Sequence, residues 1–127
     1  MPGIVFYKTK RLKAIKSFYL DQLGCDLWLD QGECLIFRHG NLLLGFCQRD
    51  RADTEGTICF VCRDVAAVNE AFRRLKPITL SLPSVNPRFD IFHFYAEDPE
   101  GRMLEFQCFN KPVDFDFDKA CDAVRER

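Results

Sequence analysis

The same order of elements is written twice in this chain. Leu12, Ile15 and Tyr19 recur as Val65, Val68 and Phe72 at a constant offset of 53 residues, and both sets have the apolar spacing of a helix face. Each set follows a strand-like run, Gly3 to Thr9 in the first half and Thr57 to Cys62 in the second. Three further strands come after each: Cys25 to Leu29, Glu33 to Phe37 and Leu42 to Cys47, then Ile78 to Leu82, Asp90 to Ala96 and Arg102 to Phe109. Turn signals at Asp30-Gln31-Gly32, His39-Gly40 and Asp98-Pro99-Glu100-Gly101 divide them. Gly24 stands where a helix C-cap belongs, and Pro77 ends the second helix. The turns also align, Gly40-Asn41-Leu42-Leu43-Leu44 against Gly101-Arg102-Met103-Leu104-Glu105. This duplication predicts an α+β fold of two βαβββ modules, about 3–48 and 57–110, inside one domain spanning 1–127. The polar stretch Gln48 to Gly56 links the modules, and the tail 111–127 carries a short charged helix over Phe115 to Arg127.

Composition narrows the partners. The net charge is −1 with Lys and Arg spread along the chain, so neither nucleic acid nor an anionic membrane surface is expected. No apolar run reaches membrane-spanning length, and Met1-Pro2-Gly3 leads into only four apolar residues before Lys8, unlike a signal peptide. Seven Cys, an odd number scattered mostly through apolar runs, fit reduced, buried thiols in a cytoplasmic protein. Thirteen Phe among 127 residues predict an aromatic-rich core or an aromatic-lined cavity.

One residue breaks the apolar pattern. Glu105 sits between apolar neighbours in the last strand, just after the Asp98–Gly101 turn. A carboxylate in such a place costs several kcal/mol unless a cation, metal or hydrogen-bond partner compensates.

Three segments carry a resemblance: Phe18-Tyr19-Leu20-Asp21-Gln22-Leu23-Gly24, Cys62-Arg63-Asp64-Val65 at the second helix, and Asp98-Pro99-Glu100-Gly101 running to Glu105-Phe106. With the paired modules, they resemble the glyoxalase, bleomycin-resistance and extradiol-dioxygenase superfamily, also called vicinal oxygen chelate. The resemblance covers nearly all of residues 3 to 110. It implies a half-open barrel around a cavity, in which enzymatic members hold a divalent metal as a Lewis acid with His and Glu side chains. It also implies a homodimer. Glu105 matches the last metal ligand of that pattern. The other ligand positions fall on Ile4, Thr57 and, by the turn alignment, Leu44, and Arg11 replaces the Asp that opens the first helix region. Ile4 and Leu44 cannot bind a metal and Thr57 is a weak neutral ligand. Glu105 alone remains a candidate ligand, so no metal cofactor is expected at the standard site.

Strand alternation then supplies the partners of Glu105. Met103, Glu105 and Gln107 share one face, as do Thr57 and Cys59, and Phe6 and Lys8 face inward on the first strand. If Asp98–Gly101 is a type I turn with Gly101 as a bulge, Tyr95 faces Glu105 and His93 faces Gln107; without the bulge, Phe94 faces Glu105. The bulged register is preferred because Gly suits the positive φ it needs. The ligand-binding set is Phe6, Lys8, Thr57, Cys59, His93, Tyr95, Met103, Glu105 and Gln107, a mixed aromatic and polar pocket for a small organic molecule. His93 and Glu105 are expected to pair, with Tyr95 as a second donor to the carboxylate. The bland readings are a Glu105 merely satisfied by Tyr95, His93 or Lys8, a structural His93 and an exposed His39. Cys59-Phe60-Val61-Cys62 has C-x-x-C spacing, but strand residues three apart point to opposite faces, so it makes no zinc or redox motif. No glycine-rich phosphate loop and no Ser/His/Asp triad can be assembled.

Two functions follow. The first is a small-molecule binding protein with a degenerate metal site, of the ligand-sequestering drug-resistance type. The alternative is an enzyme (lyase, isomerase, dioxygenase or transferase) with a site rebuilt around Glu105 and His93, with Cys59 or Tyr95 in support.

Overall fold

In the computed structural model, which describes residues 1–118, the chain runs β1 (Ile4–Thr9), α1 (Leu12–Ser17), β2 (Asp26–Asp30), β3 (Cys34–His39) and β4 (Leu42–Gln48). The order then repeats as β5 (Thr57–Val61), α2 (Val65–Leu75), β6 (Ser84–Asn86), β7 (Ile91–Glu97) and β8 (Met103–Phe109). The strands form two mixed sheets, ordered β1-β4-β3-β2 and β5-β8-β7-β6. In each, the first strand pairs parallel with the last and the others pair antiparallel. The chain divides into two compact units, residues 1–54 with 116–118 and residues 55–115. Most of the tail helix expected over Phe115 to Arg127, and Cys121 with it, lies outside the described residues.

The first unit is built on aromatic packing. Tyr19, fully buried, stacks on Phe37 with ring centroids 5.8 Å apart and meets Phe46 at 4.9 Å, while Tyr7 stacks on Phe46 from β1. Burying rings of this size is the main source of stability in so small a core. The helical run does not stay α-helical to Leu23, as its spacing predicts. Phe18–Gln22 widen into one π turn, with Leu23 N–H bonded to Phe18 C=O, and Gly24 at φ 72° lets Cys25 N–H reach Tyr19 C=O. Arg11 makes no side-chain cap at the start of α1; Gln48 substitutes from β4, its Oε1 accepting from Leu12 N–H at 3.0 Å while its amide donates to Lys10 C=O at 2.8 Å.

In the second unit α2 starts as its sequence predicts, with Asp64 Oδ1 accepting from Ala67 N–H at 2.9 Å. Val68, Ala71 and Leu75 are buried on its inner face, and Phe72 meets Phe94 edge-on. Phe60, Phe94 and Phe106 stack across three strands at 5.1 Å spacing. Both cores are therefore aromatic.

Two expectations are corrected. The strand expected at Ile78 to Leu82 is absent: Lys76–Ile78 form a 3-10 turn and the sixth strand is Ser84–Asn86. The segment still runs beside β7, through a single Thr79–Ala96 bridge and Leu80 N–H to Tyr95 C=O. The ladder fails because Tyr95 N–H is taken by the Ser81 hydroxyl rather than by backbone, and Pro83 offers no donor. Nor are all the thiols reduced. Cys34 and Cys47 stand directly opposite on β3 and β4, Cα atoms 4.0 Å apart, and form a disulfide. Cys25, Cys59, Cys62 and Cys108 are free. Among the described residues no helix is long and apolar enough to cross a membrane.

Candidate functional site

The β7–β8 hairpin sets the register of everything on the second sheet. Gly101, at φ 85°, bulges the turn, with Gly101 N–H bonded to Asp98 C=O and Asp98 N–H to Arg102 C=O. Tyr95 consequently pairs with Glu105, and His93 with Gln107, in the bulged register. The turn secures itself with charge. Asp98 Oδ1 accepts from the N–H groups of Glu100 and Arg102 at 2.8 and 3.0 Å, and the buried Arg102 guanidinium bonds Asp98 Oδ2 at 3.1 Å and Glu100 Oε1 at 2.8 Å. Burial alone would lower the pKa of Arg102, but its two acidic partners outweigh burial and raise it.

Alternation places Phe60, Phe94, Ala96, Leu104 and Phe106 against α2, and turns Thr57, Cys59, His93, Tyr95, Met103, Glu105 and Gln107 to the opposite face. Seven of the nine expected site residues thus share one sheet face. The other two, Phe6 and Lys8, occupy the corresponding face of the first sheet, opposite Gly45 and Cys47.

The centre of the second face is a diagonal pair. His93 Nδ1 lies 2.7 Å from Glu105 Oε2, with the two side chains only 11% and 13% exposed. A carboxylate can only accept, so Nδ1 carries the proton, and in the neutral imidazole Nε2 holds the lone pair. Tyr95 meets the His93 ring edge-on, centroids 5.2 Å apart; among the described residues no hydrogen bond joins it to the carboxylate, contrary to expectation. Beside them, Gln107 Nε2 lies 2.8 Å from Cys59 Sγ, a contact the sequence reading missed. Cys59 is directly opposite Glu105, and its pKa is pushed up to about 11, chiefly by burial and further by the carboxylate. It is a neutral thiol at physiological pH, poorly suited to be a nucleophile.

The first sheet corrects the ligand positions. Cys59 pairs with Glu105 across β5 and β8, and its counterpart Phe6 pairs with Gly45 across β1 and β4. The structural equivalent of Glu105 is therefore Gly45, not Leu44, which is buried on the helix side beside Phe46. The reason is loop length: His39 pairs with Leu42 around a two-residue turn, whereas the bulged hairpin adds one residue. A Cβ at Gly45 would run into the Cδ1–Cε1 edge of the Phe6 ring, so the absence of a side chain there is what admits the aromatic. Ile4 and Thr57 do occupy equivalent registers, opposite Leu43 and Met103. Among the described residues, no three His, Cys, Asp or Glu side chains are grouped to hold a metal ion. Counting turn residues from the paired strands, rather than aligning Gly40 with Gly101, is the signal that would have found Gly45.

No protein-family model matches the sequence, and neither does any curated protein. Solved structures do. The chain is similar to lactoylglutathione lyase from Agrobacterium tumefaciens at 23% identity and TM-score 0.70, over 85% of this chain and 92% of that one. It is similar to a glyoxalase/bleomycin resistance protein/dioxygenase from Alicyclobacillus acidocaldarius at 19% identity and TM-score 0.74, over 87% and 92%. A glyoxalase/dioxygenase from Nostoc punctiforme gives 16% identity and TM-score 0.68, over 85% and 90%. The chain has the fold shared by these structures, as the sequence resemblance implied. At such identities the likeness carries fold and not function.

Proposed function

Starting from that fold, we propose that the chain is a small-molecule binding protein in which the family's metal-ligand set has been lost and a hydrogen-bonding pocket has taken its place. One observation carries the reading: the Glu105 carboxylate, which would be the surviving ligand, is hydrogen-bonded by His93 at 2.7 Å. Around the pair stand Tyr95 and Met103 as apolar surface and Gln107 and Thr57 as polar groups, the mixture expected of a site for an organic molecule. Sequestration of a ligand, as in the drug-resistance branch, and pairing of two copies complete the proposal.

A thermal-shift screen tests it. A ligand held at 100 times its Kd adds about 2.7 kcal/mol of stability, a readily measured rise in Tm. A screen of organic compounds in which none raises Tm would count against sequestration. Metal analysis of protein purified without chelators is the complementary measurement. Near-stoichiometric nickel, zinc, manganese or iron that disappears in Glu105→Ala would overturn the reading.

The second reading, an enzyme with a rebuilt site, is supported by the His93–Glu105 geometry, because a carboxylate-oriented imidazole suits general acid–base work. In that version Cys59 takes no part as a nucleophile, since burial keeps its thiol protonated.

A further inference from the structure

The His93–Glu105 pair has a direction. Nδ1 is committed to the carboxylate, and no described residue hydrogen-bonds Nε2. The charged and titratable groups on this face are few: Cys59 on β5, Tyr95 and Glu97 on β7, and Glu105 on β8. Two of them are carboxylates, and no Lys or Arg stands at any face position of β5, β6, β7 or β8. With His93 neutral, the face offers lone pairs and negative charge but no cation to receive an anion. Gln107 reinforces this, since its amide N–H is turned to Cys59.

We propose that His93 and Glu105 form a proton-accepting dyad. Nε2 of His93 takes a hydrogen bond or proton from an uncharged ligand's N–H or O–H, Glu105 acts as positioning residue, and anionic ligands are refused at this face. The inference deepens the small-molecule reading and rests on it. It states which atom of the site meets the ligand and what chemical group the ligand must bring.

The chain supplies its own control, because it has two histidines, His93 in the dyad and the exposed His39 at the end of β3. Diethyl pyrocarbonate is the probe. A neutral imidazole nitrogen attacks one carbonyl carbon, an N–C bond forms, and monoethyl carbonate leaves with the C–O bond electrons. For His93 the attack comes from Nε2, and the Nδ1 proton passes to Glu105. Peptide mass spectrometry reads both histidines in one sample.

The proposal expects acylation of His93 to slow by about tenfold in Glu105→Gln, the scale of losing an imidazole's orienting partner, with His39 unchanged. Should Glu105→Gln fail to fold, which His93 would report by reacting faster than in wild type, Glu105→Asp makes the same test with the carboxylate withdrawn by one methylene. Benzamide, at about ten times its half-protecting concentration, should slow His93 acylation by about tenfold. Benzoate, the anion of the same shape, should change it by less than about twofold at the same concentration. A His93 that does not react, or reacts equally in wild type and both variants, overturns the dyad. Protection by benzoate equal to that by benzamide, or by neither, overturns the ligand class. A compound that raises Tm without protecting His93 would remove this inference and leave the binding reading standing.

Discussion

The two modules share one topology and present different side chains at the same register. In the first, the site-facing centre of the sheet is Gly45 with the Phe6 ring over it; in the second, the same register holds Glu105 opposite Cys59. The first hairpin turns on two residues, with only Gly40 at positive φ (58°), the pattern of a type II′ turn. The second is longer by one residue and is held by a buried Arg–Asp–Glu cluster. The difference teaches that the two modules keep one register while the residues set on it decide the chemistry of each face. An ion-paired turn precedes the strand that carries Glu105, and a two-residue turn precedes the strand that carries Gly45.

This contrast can be broken by mutation. The largest effect is expected at the second turn: Arg102→Met strands the Asp98 and Glu100 carboxylates and should cost about 3–5 kcal/mol in urea unfolding. At the first turn, Gly40→Ala should cost less, about 1–3 kcal/mol, the strain of an L side chain at positive φ. Equal losses at the two turns would erase the distinction. Next comes the covalent link that only the first module has. Cys34→Ser with Cys47→Ser opens a 13-residue crosslink and should cost about 2–3 kcal/mol under oxidising conditions, and nothing relative to wild type in reductant.

Smaller effects sharpen the picture. Gly45→Ala should cost about 1–2 kcal/mol by displacing the Phe6 ring. Phe6 is 50% exposed, so it can swing aside, and Gly45→Ala with Phe6→Ala should cost less than the sum of the two. Least visible in stability, but clear in kinetics, is Cys59. Because its pKa is raised to about 11, iodoacetamide should label it slowly near pH 7 and faster up to about pH 11. Full labelling at neutral pH would return Cys59 to the list of nucleophiles.

The repeat of Leu12, Ile15 and Tyr19 as Val65, Val68 and Phe72 made the fold legible, because helix periodicity and turn glycines are local signals. The bulge at Gly101 was legible too, and with it the Tyr95–Glu105 register and the His93–Glu105 pairing. Three features were not. The disulfide required two cysteines 13 residues apart to land opposite each other, a matter of strand register that composition does not contain. The sixth strand lies beyond the run that propensity favours, because Ser81 takes a ladder position with its side chain. Leu44 reads as the equivalent of Glu105 when Gly40 is set against Gly101, although the second turn holds an extra residue. In each case local chemistry was right and long-range geometry decided.

That extra residue has a consequence for how such a protein changes over time. Three residues lie between Asp98 and Arg102 and two between His39 and Leu42, yet Glu105 and Gly45, each three positions past the turn, hold the same face of their sheets. The glycine bulge absorbs the surplus residue, so one codon can enter or leave such a loop without turning the strand over. Loop length and strand face are thereby uncoupled, and a module can rebuild its turn while the side chains beyond it stay on the same side.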